Sequence, residues 1–309
     1  MKLAFLYAGQ GSQRVGMGCD LYEAEPAFRA VFDLLPERLR TLAFEGGESE
    51  LSDTRNTQPI MVAFAAGVTA ALRERGVTPD FAAGLSLGEY SALHAADVWD
   101  ARTAIELVSF RAEQMAQAVR GRPCGMTAVL QLGREALAEC CAQASALGVA
   151  EIANYNCPGQ LVIGGDAAAV DEAARLALAR GARRCMQLAV SGPFHTSLMR
   201  PAGDALREKF RETQFGAPSV PVIFNCTARP LGEGETIAAL LERQVQSGVY
   251  FEDTVRYLAQ CGVDTVVEIG PGRVLSGFVK KTEPAMRAVA VEDCASLAAA
   301  LSALKEERA

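Results

Sequence analysis

The chain has 309 residues, 50% of them hydrophobic and 22% charged, with a formal net charge of -7. At about 150 residues per domain this length gives two domains or one with an insertion, and the acidic balance argues against a nucleic-acid surface. The 9 cysteines are an odd number without a CxxC pair, which fits the reduced thiols of a cytoplasmic protein rather than a disulfide framework or a zinc site. The apolar start at residues 3–7 is too short for a secretion signal. No run of about 18 apolar residues is present that could span a membrane.

Residues 3–7 are a short apolar run ending at Ala8 and Gly9, which predicts a buried strand. Helices are expected at 22–35 and 57–75, the second with Pro59 in its first turn. A weaker strand at 80–84 leads into GLSLGEY, residues 84–90, and a helix over 87–96. The helix at 101–119 has the clearest amphipathic pattern. Strands and helices in this order imply a mainly parallel α/β sheet with helices on both faces.

Residues 123–190 follow a different plan. Strand 126–132, helix 134–146, strand 149–155, strand 160–163, a helix capped by Asp166 and running to about 180, and strand 184–190 give the order βαββαβ. That is the ferredoxin-like arrangement. The expected fold is therefore α/β: a large α/β-hydrolase-like domain of residues 1–122 and 191–309, with a ferredoxin-like small subdomain of residues 123–190 inserted. The large domain resumes with a helix at 197–212, a strand at 221–225, helices at 234–247 and 251–261, and a strand at 265–269. After that strand, Gly270-Pro-Gly272 precedes another helix, and an alanine-rich helical stretch covers 295–304.

Gly84, Ser86 and Gly88 spell G-x-S-x-G between a strand and a helix. Such spacing suits a serine held exposed on a tight turn, with glycines where the backbone crowds. It also suits a plain turn. A nucleophilic serine needs a base, and the chain holds 2 histidines. His94 lies on the helix that follows Ser86, about 12 Å further along its axis, and cannot readily reach back. His195, in SGPFHT at 191–196, is the remaining candidate. Packing against or capping the helix that follows is its alternative role.

Ala104, Val108, Arg111 and Met115 share one helix face, opposite Glu106 and Glu113. An arginine on that apolar stripe needs an anionic partner. Either a structural carboxylate or a substrate carboxylate gripped by the planar fork would serve. The loop GQGSQ at 9–13 matches neither phosphate-loop template, because Arg14 stands where a third glycine is needed and no Gly-Lys-Ser/Thr follows. Its backbone N–H groups could instead border the Ser86 turn.

With these pieces in place, the chain resembles malonyl-CoA:acyl-carrier-protein transacylases and the related acyltransferase domains of polyketide synthases. GQGSQ (9–13), NTQP (56–59), GLSLGEY (84–90), Arg111 with Met115, NYNCPGQ (154–160), GPFH (192–195), NCTA (225–228), Gln244 and EIGPG (268–272) carry the likeness nearly end to end.

The resemblance implies malonyl transfer from malonyl-CoA to the phosphopantetheine thiol of acyl carrier protein, through a malonyl-Ser86 ester with ping-pong kinetics, in fatty-acid or polyketide biosynthesis. It implies a Ser86–His195 dyad, with the histidine steadied by a main-chain carbonyl near Gln244. The backbone N–H groups of Gln10 and Leu87 form the oxyanion hole, and Arg111 pairs with the malonyl carboxylate. Phe194, Asn156, Asn225 and Gln244 are implied as substrate-binding positions. No bound cofactor or metal, no membrane and no partner beyond acyl carrier protein and CoA are expected of a cytoplasmic monomer.

Three positions depart from the family pattern: Leu85 where histidine is frequent, Ala8 for a proline, and Gly248 for a proline. The alternatives are a hydrolase of acyl-CoA or acyl-carrier thioesters on the same scaffold, and a non-catalytic carrier-protein docking module.

Overall fold

The structure, a computed structural model, describes residues 1–190 and 192–306. Ser191, the expected resumption point of the large domain, and residues 307–309 lie outside the described residues. Nine strands occur in it: β1 (Leu3–Tyr7), β2 (Phe81–Gly84), β3 (Cys124–Leu130), β4 (Ala150–Cys157), β5 (Gln160–Asp166), β6 (Arg184–Gln187), β7 (Val222–Ile223), β8 (Thr265–Ile269) and β9 (Arg287–Val291).

β1 is wholly buried, as a continuous apolar strand with covered faces should be. It lies at the centre of a five-stranded sheet in the order β7-β2-β1-β8-β9, in which every pairing is parallel. Side chains on a strand alternate between faces, so β1 feeds two cores. Leu3, Phe5 and Tyr7 join one, and Ala4 and Leu6 join the other.

The second sheet is antiparallel, in the order β4-β5-β3-β6. The helices Arg134–Ala144 and Ala167–Ala179 cover one face and share a core with Val129, Leu161 and Ile163. Met126, Ala128 and Val162 belong instead to the main core and so turn toward the large sheet. A strand of period two divides its residues between a packed face and a facing wall.

The outer edge of β4 is fastened to the rest of the chain. Tyr155 N–H donates to the Val249 carbonyl at 2.8 Å, and Val249 N–H donates to Ala153 at 2.9 Å. The rings of Tyr155 and Tyr250 stack at 4.6 Å, and Arg134 pairs with Asp253 at 2.8 Å and Glu252 at 3.1 Å.

Several sequence-based expectations shift. The parallel sheet has no antiparallel member among the described residues, and its edge strand β9 has no counterpart in the sequence reading. The helix expected at 22–35 is two, Cys19–Ala24 and Pro26–Phe32, because Pro26 drives Glu25 to an extended φ of -113° and ends the first. The next long helix begins at Thr54, where the Asp53 side chain accepts from Arg55 N–H, so Pro59 lies inside it rather than in its first turn. Asp166 precedes its helix but does not cap it with its side chain. Its carboxylate is taken by Arg122 at 2.6 Å and by Val149 N–H at 2.8 Å. β6 stops at Gln187, short of the expected 190, and the helices Glu37–Glu45 and Glu48–Leu51 are additional to the sequence reading.

Candidate active site

The turn after β2 is built by backbone crowding. A Cβ on Gly84 would lie 2.1 Å from the Gly88 carbonyl carbon, and one on Gly88 would lie 2.1 Å from the Tyr7 carbonyl oxygen. No side chain fits either gap, so strand, turn and helix can approach only with glycine at both positions. Ser86 between them is held at φ 54°, a left-handed conformation unusual for serine. His195 is held likewise at φ 63°. Such strain persists only where the surroundings over-determine it.

Around Ser86 they do. Its N–H donates to Asn225 Oδ1 at 2.7 Å, and Asn225 Nδ2 donates to the Gly84 carbonyl at 2.6 Å. Gln244 Nε2 donates to the Ser86 carbonyl at 2.7 Å. Asn225 and Gln244 are both fully buried, and they lie beneath the turn rather than on the cleft wall. Asn156 and Phe194 do face the cleft.

Ser86 Oγ is 2.5 Å from His195 Nε2, and His195 Nδ1 is 2.9 Å from the Gln244 carbonyl oxygen. A carbonyl can only accept, so Nδ1 carries the proton and Nε2 offers its lone pair to the serine hydroxyl. Burial and then the positive field of Arg111 hold the imidazole down at about 4, against a weaker opposite pull from the Gln244 carbonyl. His94, by contrast, is tied to the Trp99 carbonyl at 3.1 Å.

Arg111 is 1% exposed. Its Nη1 donates to Gln58 Oε1 at 2.8 Å, and its Nη2 reaches Gln244 Oε1 at 3.2 Å and Ser86 Oγ at 3.3 Å. The guanidinium stacks over the Tyr90 ring at 5.4 Å. Among the described residues it enters no ion pair, and its Nε has no hydrogen-bond partner. Burial lowers its pKa from the ordinary arginine value, opposed by Tyr90 and Glu89.

These groups open on a cleft of about 270 Å³ between the two sheets. Leu85, Ser86, Arg111 and His195 line one side, and Met126, Ala128, Val162 and Asn156 line the other. Gln10 and Leu87 also border it, and neither backbone N–H is taken by a hydrogen bond among the described residues. No group of three or more His, Cys, Asp or Glu side chains among them could hold a metal ion.

Residues 4–301 match the model of the acyl transferase domain family. The malonyl CoA-acyl carrier protein transacylase of Bacillus subtilis is 43% identical, over 99% of this chain and 98% of its own length. The chain belongs to this acyl transferase family. The Haemophilus influenzae enzyme of the same name is 39% identical over 96% of each chain. The solved Clostridium perfringens transacylase aligns with a TM-score of 0.95 at 36% identity, covering 100% of this chain and 98% of that one. A malonyl-transacylase solved in complex with a type II PKS acyl-carrier protein aligns with a TM-score of 0.94 at 38% identity, covering 98% of this chain and 100% of that one.

Gln58 and Glu89 complete this polar cluster, and the sequence alone assigns neither a role. Gln58 had a signal: it lies directly before the apolar run Pro59–Val68, in a helix with 17 buried residues. A buried amide calls for a polar partner.

Proposed function

We propose that this acyltransferase moves a malonyl group from malonyl-CoA to the phosphopantetheine thiol of an acyl carrier protein through an ester on Ser86. The observation that carries this is Arg111, a buried guanidinium without a carboxylate partner among the described residues, 3.3 Å from the Ser86 hydroxyl. A charge so placed stabilises a bound carboxylate and penalises a neutral acyl chain.

The chemistry follows from the geometry. Ser86 Oγ attacks the thioester carbonyl while its proton passes to His195 Nε2, and the Gln244 carbonyl stabilises the imidazolium through Nδ1–H. The free N–H groups of Gln10 and Leu87 are positioned to receive the oxyanion. Collapse breaks the C–S bond, and the imidazolium returns its proton to the departing CoA sulfur. The carrier thiol then gives its proton to His195 and attacks the ester, and Ser86 regains a proton as it leaves. A malonyl carboxylate on Arg111 also cancels much of the field that depresses His195. The base therefore gains strength when the correct acyl group is present.

The two sheets and the cleft between them support the division into a large domain, 1–122 with 191–309, and a small one, 123–190. In this proposal the large domain supplies the chemistry and the small one a wall. The free state of all nine cysteines supports a reducing, cytoplasmic setting.

Incubation with malonyl-CoA should add one malonyl mass to the intact protein, and holo carrier protein should remove it faster than buffer does. Ser86→Ala should abolish both, a loss of at least ~10³-fold. Faster loss to water than to the carrier would make the enzyme a hydrolase, and unchanged transfer by Ser86→Ala would end the covalent mechanism.

A further inference from the structure

The geometry points to Glu89 as a positioning residue for acyl transfer, holding the Ser86 turn in register through Asn225 and setting the charge balance behind Arg111. This rests on the acyl-transfer reading above. Glu89 lies in the first turn of the helix Gly88–Ala95 and is 0% exposed. A carboxylate there commonly serves its own helix N-terminus. This one reaches away: the Asn225 backbone N–H donates to Glu89 Oε2 at 2.5 Å. The side chain of that same Asn225 holds both Ser86 N–H and the Gly84 carbonyl. Glu89 thus fixes the main chain of the residue whose amide clamps the strained turn, and a shift of Asn225 would release Ser86 from φ 54°.

The second oxygen, Oε1, is buried without a partner among the described residues, and Glu89 enters no ion pair there. An ionised carboxylate so placed is costly, and burial pushes Glu89 up to about 8, against the lowering effects of the Asn225 N–H and of Arg111. The groups around it are Arg111 from the helix Ala101–Ala118, Tyr90 beside it, and Cys226 after β7, whose thiol Glu89 helps to raise. Among the described residues, Arg111 is the cation whose field acts on Glu89. At neutral pH the carboxyl is mainly protonated, and Arg111 keeps its full attraction for a substrate carboxylate. Above about 8 the new negative charge competes for Arg111.

The test uses the full chain with Glu89→Gln and Glu89→Leu. Modification of Ser86 by a fluorophosphonate, followed by intact mass, reports the turn without any acyl donor. Glu89→Gln keeps an acceptor for Asn225 N–H and should label within about 3-fold of the parent, whereas Glu89→Leu should label at least ~10-fold more slowly. In the pH profile of kcat/KM for malonyl-CoA, the parent should decline above pH 8 and Glu89→Gln should not. Parent-like labelling of Glu89→Leu, or the same alkaline decline in Glu89→Gln, overturns the proposal. If Glu89→Leu fails to fold, the Gln profile still decides. A parent that labels at Ser86 yet does not turn over malonyl-CoA defeats the acyl-transfer reading, and the labelling rates still judge Glu89.

Discussion

The two walls of the cleft are built to opposite rules. On the parallel-sheet side the groups that hold Ser86 and His195 are committed: Asn225, Gln244, Gln58 and the Gln244 carbonyl each hold a named partner, and Ser86 and His195 sit at positive φ, while Arg111 Nε and Glu89 Oε1 stay without a partner among the described residues. On the antiparallel side Met126, Ala128 and Val162 share the surface with the amides of Asn154, Asn156 and Gln160, and Asn156 Oδ1 has no partner among the described residues. Stabilising a developing charge requires dipoles fixed beforehand, which explains the crowded, strained wall. A thioether and small aliphatic groups adapt to what they contact, which explains the plain one.

Breaking the charged wall should have the largest effect. Arg111→Ala is expected to lower kcat/KM for malonyl-CoA by about 10²–10³-fold, because charge-assisted hydrogen bonds to the acyl carboxylate are lost. Acetyl-CoA should lose far less, which an acyl-CoA panel read by intact mass would reveal. Equal losses on both donors would make Arg111 a structural member of the wall.

The second test concerns stability. His195 has its pKa lowered from 6.5 to about 4 in the folded state, so between those values the unfolded chain binds more protons. Stability contributed by this group is present above pH 6.5 and is lost as pH falls toward 4, by on the order of 3 kcal/mol. Denaturant unfolding of His195→Asn against the parent should show the gap shifting in favour of the variant as pH falls through this window. His94, also lowered by burial, is common to both proteins and cancels. A pH-independent difference would mean that His195 is not held neutral by its surroundings.

The smallest effect is expected at the fastening of the plain wall. Arg134 is 35% exposed and pairs with Asp253 and Glu252, so Arg134→Ala should cost at most about 1 kcal/mol in thermal unfolding. Turnover should stay within about 2-fold, since the backbone bridge at Val249 and the Tyr155–Tyr250 stack remain. A steep fall in turnover would show that this attachment sets the shape of the cleft.

Much of the fold was legible because its signals are local. β1 and β8 are short apolar runs ended by glycine, and the βαββαβ order follows from alternating strand and helix patterns. β9 was not legible: its side chains are only partly buried up to Val291, and RAVAV lacks a bounding turn that marks it apart. Its strand character comes from pairing with β8 at the sheet edge. In the site, Arg111 was legible from its place on an apolar stripe, and His195 from the scarcity of histidines. Asn225 as a clamp beneath the turn was not, since it lies 139 residues from Ser86.

The sequence by itself determined the elements and the chemical inventory: a glycine-flanked serine, one reachable histidine, one arginine on an apolar face and two sets of strands. Those follow from steric limits on the backbone and from the periodicity of burial, which act over a few residues. Only the tertiary structure decided the tautomer of His195, the missing carboxylate partner of Arg111 and the link from Glu89 through Asn225 to Ser86. Each depends on which distant groups share a dry interior, where a single unmatched charge or hydrogen bond alters what its neighbours can do.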